Sequence, residues 1–141
     1  MNANELKLEV KDTVFNPGLS REDPNNKVNV RQEGDVYYYK VWLYLDGYDL
    51  PYVDSVTYTL DSSFSEPNQT VRRTLTNPNC QLTIWTWGLF TVVATIIDKK
   101  GYKYQVSHQL SYKEQLPPEE SKYDFVTAES KVAERPTLVS A

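Results

Sequence analysis

Two short stretches carry the side chains best suited to chemistry. Ser62-Ser63-Phe64 stands in a polar loop, residues 61–70, and Trp87-Gly88 stands where an apolar run is broken by a glycine. A loop aromatic flanked by serines has little reason to be there unless it packs or binds. Loops at one end of a sandwich cluster, so the two stretches can face each other. Two rings a side chain's width apart form a slot for a flat, neutral group. A planar amide suits it, stacking on both faces while its edge meets hydroxyl and backbone donors. The competing reading is that Phe64 and Trp87 cap the end of the core.

Catalysis is poorly supplied. His108 is the only histidine, and it sits in a strand-like segment with no Ser-His-Asp ordering around it, so a structural role is expected. Cys80 follows an Asn-Pro turn and precedes a strand, as a packed structural thiol would. One cysteine and one histidine make no zinc set, and no glycine-rich phosphate loop exists. Glu119-Glu120 lies in charged, proline-bearing sequence and reads as solvating charge. The expectation is a protein that is not an enzyme and takes no cofactor or metal.

Lys and Arg number 15 against 19 Asp and Glu, a net charge of −4. That speaks against nucleic acid, which needs a basic patch to meet phosphate, and leaves a basic peptide as a suitable partner. The single cysteine makes no internal disulfide, MNANELKLEV has no apolar core of a secretory signal, and no apolar run reaches membrane-span length. The expected setting is cytoplasmic.

These stretches must be positioned by strands. Residues 81–97, QLTIWTWGLFTVVATII, alternate with period two: Leu82 and Ile84 share one face of a first strand, and Phe90, Val92, Ala94 and Ile96 one face of a second. The two are expected to meet at Trp85-Thr86-Trp87-Gly88. Further strands are read over 5–15, 27–31, 35–46, 52–60, 71–76 and 102–112, the last in one phase from Tyr102 to Tyr112. The run 35–46 is bulky on both faces, which suits a central strand. DKKG, Asp98 to Gly101, reads as a hairpin turn. Phe64 reads as exposed. Residues 113–141 carry Pro117-Pro118, clustered charge and no sustained period, so they read as a disordered tail or linker after a domain spanning 1–112. Seven or eight short antiparallel strands at regular spacing indicate an all-β, immunoglobulin-like sandwich.

Val56-Thr57-Tyr58-Thr59-Leu60-Asp61-Ser62-Ser63-Phe64-Ser65-Glu66-Pro67, followed by Thr86-Trp87-Gly88-Leu89-Phe90 and a β-branched strand, resembles the YEATS domain family over roughly 36–112, most closely its prokaryotic branch. The resemblance implies an immunoglobulin-like fold and, from the eukaryotic members, recognition of acetyl- or crotonyl-lysine. It makes Phe64 and Trp87 the walls of the acyl slot, has Ser63 bond the amide, and directs the Trp87 backbone N–H at the acyl carbonyl. Two positions depart from the family pattern. Asp61 replaces a histidine that helps shape the eukaryotic pocket, and Thr86 replaces a glycine, adding a Cβ that narrows the site.

The expected site is therefore Asp61, Ser63, Phe64, Thr86, Trp87 and Gly88. The expected partner is an acylated-lysine peptide. The alternative, which also follows from the resemblance, is a partner protein domain: prokaryotic relatives stand beside signalling and defence modules, and the aromatic end would then serve as a regulatory interface.

Overall fold

The structure, a computed structural model, describes residues 6–116 and the strand at 125–127. The described residues form nine strands: β1 (Glu9–Thr13), β2 (Val28–Glu33), β3 (Val36–Asp46), β4 (Val53–Thr59), β5 (Asn68–Arg72), β6 (Leu82–Thr86), β7 (Thr91–Asp98), β8 (Lys103–Gln109) and β9 (Phe125–Thr127). They make two sheets packed as an immunoglobulin-like sandwich. In the first, β3 is central: β6 pairs along one edge, and β1 and β2 share the other end to end. The second runs β5-β4-β7-β8, all antiparallel.

Alternation builds the core. Val41, Leu43 and Leu45 of β3 face Val56 and Tyr58 of β4 and Val92, Ala94 and Ile96 of β7, all buried in one cluster. The other face of β3 is also covered: Tyr38 and Trp42 are buried, and the Arg31 guanidinium lies 5.3 Å from the Tyr38 ring and 4.9 Å from that of Trp85. β3 thus carries buried bulky side chains on both faces and has strand partners along both edges.

Several boundaries move from the sequence reading. The opening strand is confined to Glu9–Thr13, and the strand expected at 71–76 is Asn68–Arg72. Thr74 and Asn77 instead close a turn through two backbone hydrogen bonds of 3.2 and 3.1 Å. The last strand stops at Gln109, and Tyr112 opens a 3₁₀ turn, Tyr112–Gln115. The two strands of 81–97 lie in different sheets, so Trp87 to Phe90 is a crossing between sheets rather than a hairpin.

Two pieces of the segment read as a tail, 113–141, belong to the fold. Gln115 Oε1 accepts from the Thr13 hydroxyl at 2.9 Å and the Val14 N–H at 3.0 Å. β9 adds to β2 in parallel, the one exception to antiparallel pairing among the described residues. The rest of that expectation lies outside the described residues.

Cys80 is fully buried, with φ +53°, a left-handed conformation uncommon outside glycine. Its carbonyl accepts the buried Tyr58 hydroxyl at 2.7 Å, and burial pushes its thiol up to about 11. Since the thiolate is the reactive form, native Cys80 should react with a disulfide reagent at pH 8 at least about a hundredfold more slowly than the unfolded chain. Comparable rates in buffer and in guanidinium would show the site open.

Candidate functional site

The loop after β4 is built on a tight turn. The Phe64 N–H donates to the Asp61 carbonyl at 3.1 Å, and the Leu60 N–H donates to the Pro67 carbonyl at 2.7 Å. Within the turn, Asp61 Oδ2 accepts both the Ser63 N–H at 3.1 Å and the Ser63 hydroxyl at 2.5 Å. These two bonds hold the Asp61 carboxyl below the usual carboxylate range, so it is ionised at neutral pH. The Ser63 proton is thereby committed to Asp61, and the Ser63 lone pairs are left to accept a hydrogen bond from elsewhere.

The crossing after β6 faces this turn. Thr86 is buried, its hydroxyl donates to the Gly88 carbonyl at 3.2 Å, and its oxygen lies 3.3 Å from the Gly88 N–H that donates to it. The Tyr112 hydroxyl donates to the same Gly88 carbonyl at 3.1 Å. A Cβ built on Gly88 meets no atom within 4 Å, so glycine leaves open space there.

Between the two loops lies a cavity of about 160 Å³, lined by Asp61, Ser63, Phe64, Thr86, Trp87 and Gly88, with Leu89 and Phe90 beside them. Every residue named from the sequence as a candidate touches this one space. It is far below the roughly 300–1,000 Å³ of drug-sized pockets, so it suits the tip of a side chain. Phe64 is not the exposed residue the sequence suggested. It is 4% accessible, with its ring edge-on to Phe90 at 5.5 Å. Trp87 is half-buried, and among the described residues it makes no ring contact with Phe64.

The sequence does not mark Leu89, Phe90 or Tyr112 as site residues. Phe90 reads as an ordinary core position because it shares the phase of β7. Tyr112 gives no signal beyond the alternation of the preceding strand. Leu89 could have been found: an apolar residue beside a turn glycine, 47% exposed, is a weak mark of a rim.

His108 does lie beside a carboxylate. Its Nε2 is 2.5 Å from Asp12 Oδ1, but the nearby Ser111 hydroxyl and N–H also go to Asp12, at 3.3 and 2.9 Å. Asp12 therefore gathers all three groups and ties β1 to β8, and the serine–histidine contact of a nucleophilic triad is missing from the group. Among the described residues, no group of three His, Cys, Asp or Glu could hold a metal, and no helix is long and apolar enough to cross a membrane.

A family model described as the prokaryotic YEATS domain matches residues 37–111, more than half of the chain. No curated protein sequence matches. Among solved structures, the YEATS domain of Yaf9, a yeast protein, aligns at TM-score 0.50 and 12% identity over 75% of this chain and 73% of that one. The Yaf9 YEATS domain recognising an H3K122suc peptide aligns at 0.49 and 10%, covering 79% and 81%. The same domain bound to H3K27ac aligns at 0.46 and 13%, covering 79% and 75%. At these identities the likeness is one of fold.

Proposed function

The chain belongs to the prokaryotic YEATS domain family, and from that premise we propose that it is a non-enzymatic binding module taking the acylated tip of a lysine side chain between Phe64 and Trp87. The observation that carries this reading is the open cavity shared by both residues, with no stacking contact between their rings. Rings packed flat together would have favoured the alternative, a face sealed against a partner domain.

The chemistry of the lining agrees with an amide. Ser63, its proton held by Asp61, offers an acceptor to the amide N–H. The Trp87 backbone N–H is the donor for the acyl carbonyl. In this reading Asp61, standing where the eukaryotic pattern has a histidine, fixes the direction of the serine hydroxyl by its charge. The cavity is open with the Thr86 Cβ in place, and the Thr86 hydroxyl is turned to the Gly88 backbone. A stacked amide with two hydrogen bonds and little buried area gives binding on the order of micromolar to millimolar.

Gly88→Ala separates the site from the fold. The added methyl meets no neighbour, so unfolding should shift by less than about 0.5 kcal/mol. The same methyl intrudes on a cavity of about 160 Å³, and affinity for an acetyl-lysine peptide should fall about tenfold. The check is a peptide titration followed by tryptophan fluorescence beside a denaturant melt. An unchanged affinity would place the peptide elsewhere.

A further inference from the structure

A second, larger cavity lies at the opposite end of the sandwich. The first is lined from the end of β4 and the start of β7; this one, of about 430 Å³, is formed by the loop before β4 and the turn after β7. Four tyrosines line it, Tyr48, Tyr52, Tyr102 and Tyr104, together with the carboxylates of Asp49 and Asp98. Tyr48 is 81% exposed, Tyr52 56% and Tyr102 58%, so these rings contribute little to the core. Among the described residues no ring–ring or cation–ring contact involves any of the four; Tyr104 packs partly against the core, and the other three present exposed rings to the cavity.

The frame beneath the rings is built. Asp98 accepts the N–H groups of Lys100 and Tyr102, each at 2.9 Å, and the Tyr104 hydroxyl at 3.0 Å. The Lys99 N–H donates to the Tyr52 carbonyl at 2.9 Å, joining the two loops. Asp49 is buried, and its Oδ2 accepts the Lys7 N–H at 2.7 Å.

We propose that this cavity binds a methylated ammonium group, held by the tyrosine ring faces with Asp49 as the nearby negative charge. Aromatic faces attract cations through the ring quadrupole, most strongly where water is displaced. A primary ammonium brings three N–H donors that must be satisfied on leaving water. Asp98 already accepts three donors and one Asp49 oxygen is occupied, so the site suits a cation that presents methyl groups instead of N–H. The cavity has room for such a head with its stem. Lys99 and Lys100 also line the cavity, but both stand exposed on the turn, where water and salt screen them.

The test is an NMR titration of backbone amides with tetramethylammonium, choline, 3,3-dimethylbutan-1-ol (the neutral analogue of choline) and AMP. Saturable shifts confined to the amides around Asp49 and Lys99–Tyr104 are expected with the two cations, with the neutral analogue roughly tenfold weaker. Tyr48→Ala and Asp49→Asn should each weaken choline binding about fivefold. The asparagine amide of the second variant retains a side-chain acceptor for the Lys7 N–H, and Tyr48 is too exposed for its loss to unfold the protein. Equal binding of the neutral analogue would overturn the proposal, as would no response to tens of millimolar choline. Saturation by AMP alone would reassign the cavity to a flat ring carrying phosphate, with the lysines as its partners.

Discussion

Trp87→Ala should remove measurable binding of acetyl- and crotonyl-lysine peptides while leaving the protein folded. Trp87 is half-buried at the rim of the small cavity and belongs to no strand, so its truncation leaves the β6–β3 ladder intact. Truncating a central aromatic anchor of a contact typically weakens it by about 2 kcal/mol or more, roughly thirtyfold. Against a starting affinity in the micromolar-to-millimolar range, that loss moves binding beyond detection. Phe64→Ala is a poorer test, since Phe64 is 4% exposed and packed on Phe90, and its loss would open the core. Wild type and variant titrated side by side, with an unmodified lysine peptide as control, decide the matter. Saturable binding of acylated peptide by wild type alone supports the slot. Equal binding by the variant would remove Trp87 from the site. No response by a folded wild type up to millimolar peptide would sink the reader reading and turn attention to a partner domain.

The contrast between Phe64 and Trp87 also shows what a sequence can carry. Strand periodicity specified the sandwich, because a half-buried strand must alternate and its turns must carry Gly, Pro and Asn. That six residues would share one space, the small cavity, is legible from loop aromatics and neighbouring hydroxyls together with the family pattern. Phe64 was misjudged because its exposure depends on Phe90, a residue from the other loop, and nothing local to Ser62-Ser63-Phe64 reveals that contact. The sheet change between β6 and β7 was hidden for a related reason. Both strands alternate well, and a glycine between them serves a hairpin and a crossing equally.

Long-range hydrogen bonds were the least legible features. His108 and Asp12 are nearly the whole domain apart in sequence yet meet at 2.5 Å, and Gln115 closes onto Thr13 and Val14. The segment after Tyr112 lacks period and apolar weight, so it reads as a tail. Its described residues join the fold through the Gln115 side chain and a three-residue edge strand, neither of which leaves a periodic trace.

The largest loss of stability should come from Gly47→Ala. Gly47 has φ +142°, a conformation that side-chain-bearing residues rarely adopt. A Cβ there would collide with the Lys7 carbonyl oxygen and sit 2.9 Å from Leu8 Cα. Both are backbone atoms, so no rotamer change relieves the contact. Nor can the backbone simply retreat: the Asp49 N–H donates to the same Lys7 carbonyl at 3.2 Å, the Lys7 N–H returns to the Asp49 carboxylate, and Glu9 onward is paired with β3. Strain of about 1–3 kcal/mol in the backbone and a similar amount from overpacking give a destabilisation of about 4 kcal/mol. That is a large fraction of the roughly 5–15 kcal/mol available to a domain, and the midpoint of thermal unfolding should fall by about 15 °C. Gly34→Ala is the control. Gly34 also has positive φ, at +64°, but a Cβ there meets nothing within 4 Å, so only about 1 kcal/mol is expected. Equal melting of the two variants would show that the N-terminal segment is not seated on the β3–β4 turn. A selective loss at Gly47 would confirm that seat, and with it the placement of Tyr48 and Asp49 at the mouth of the larger cavity.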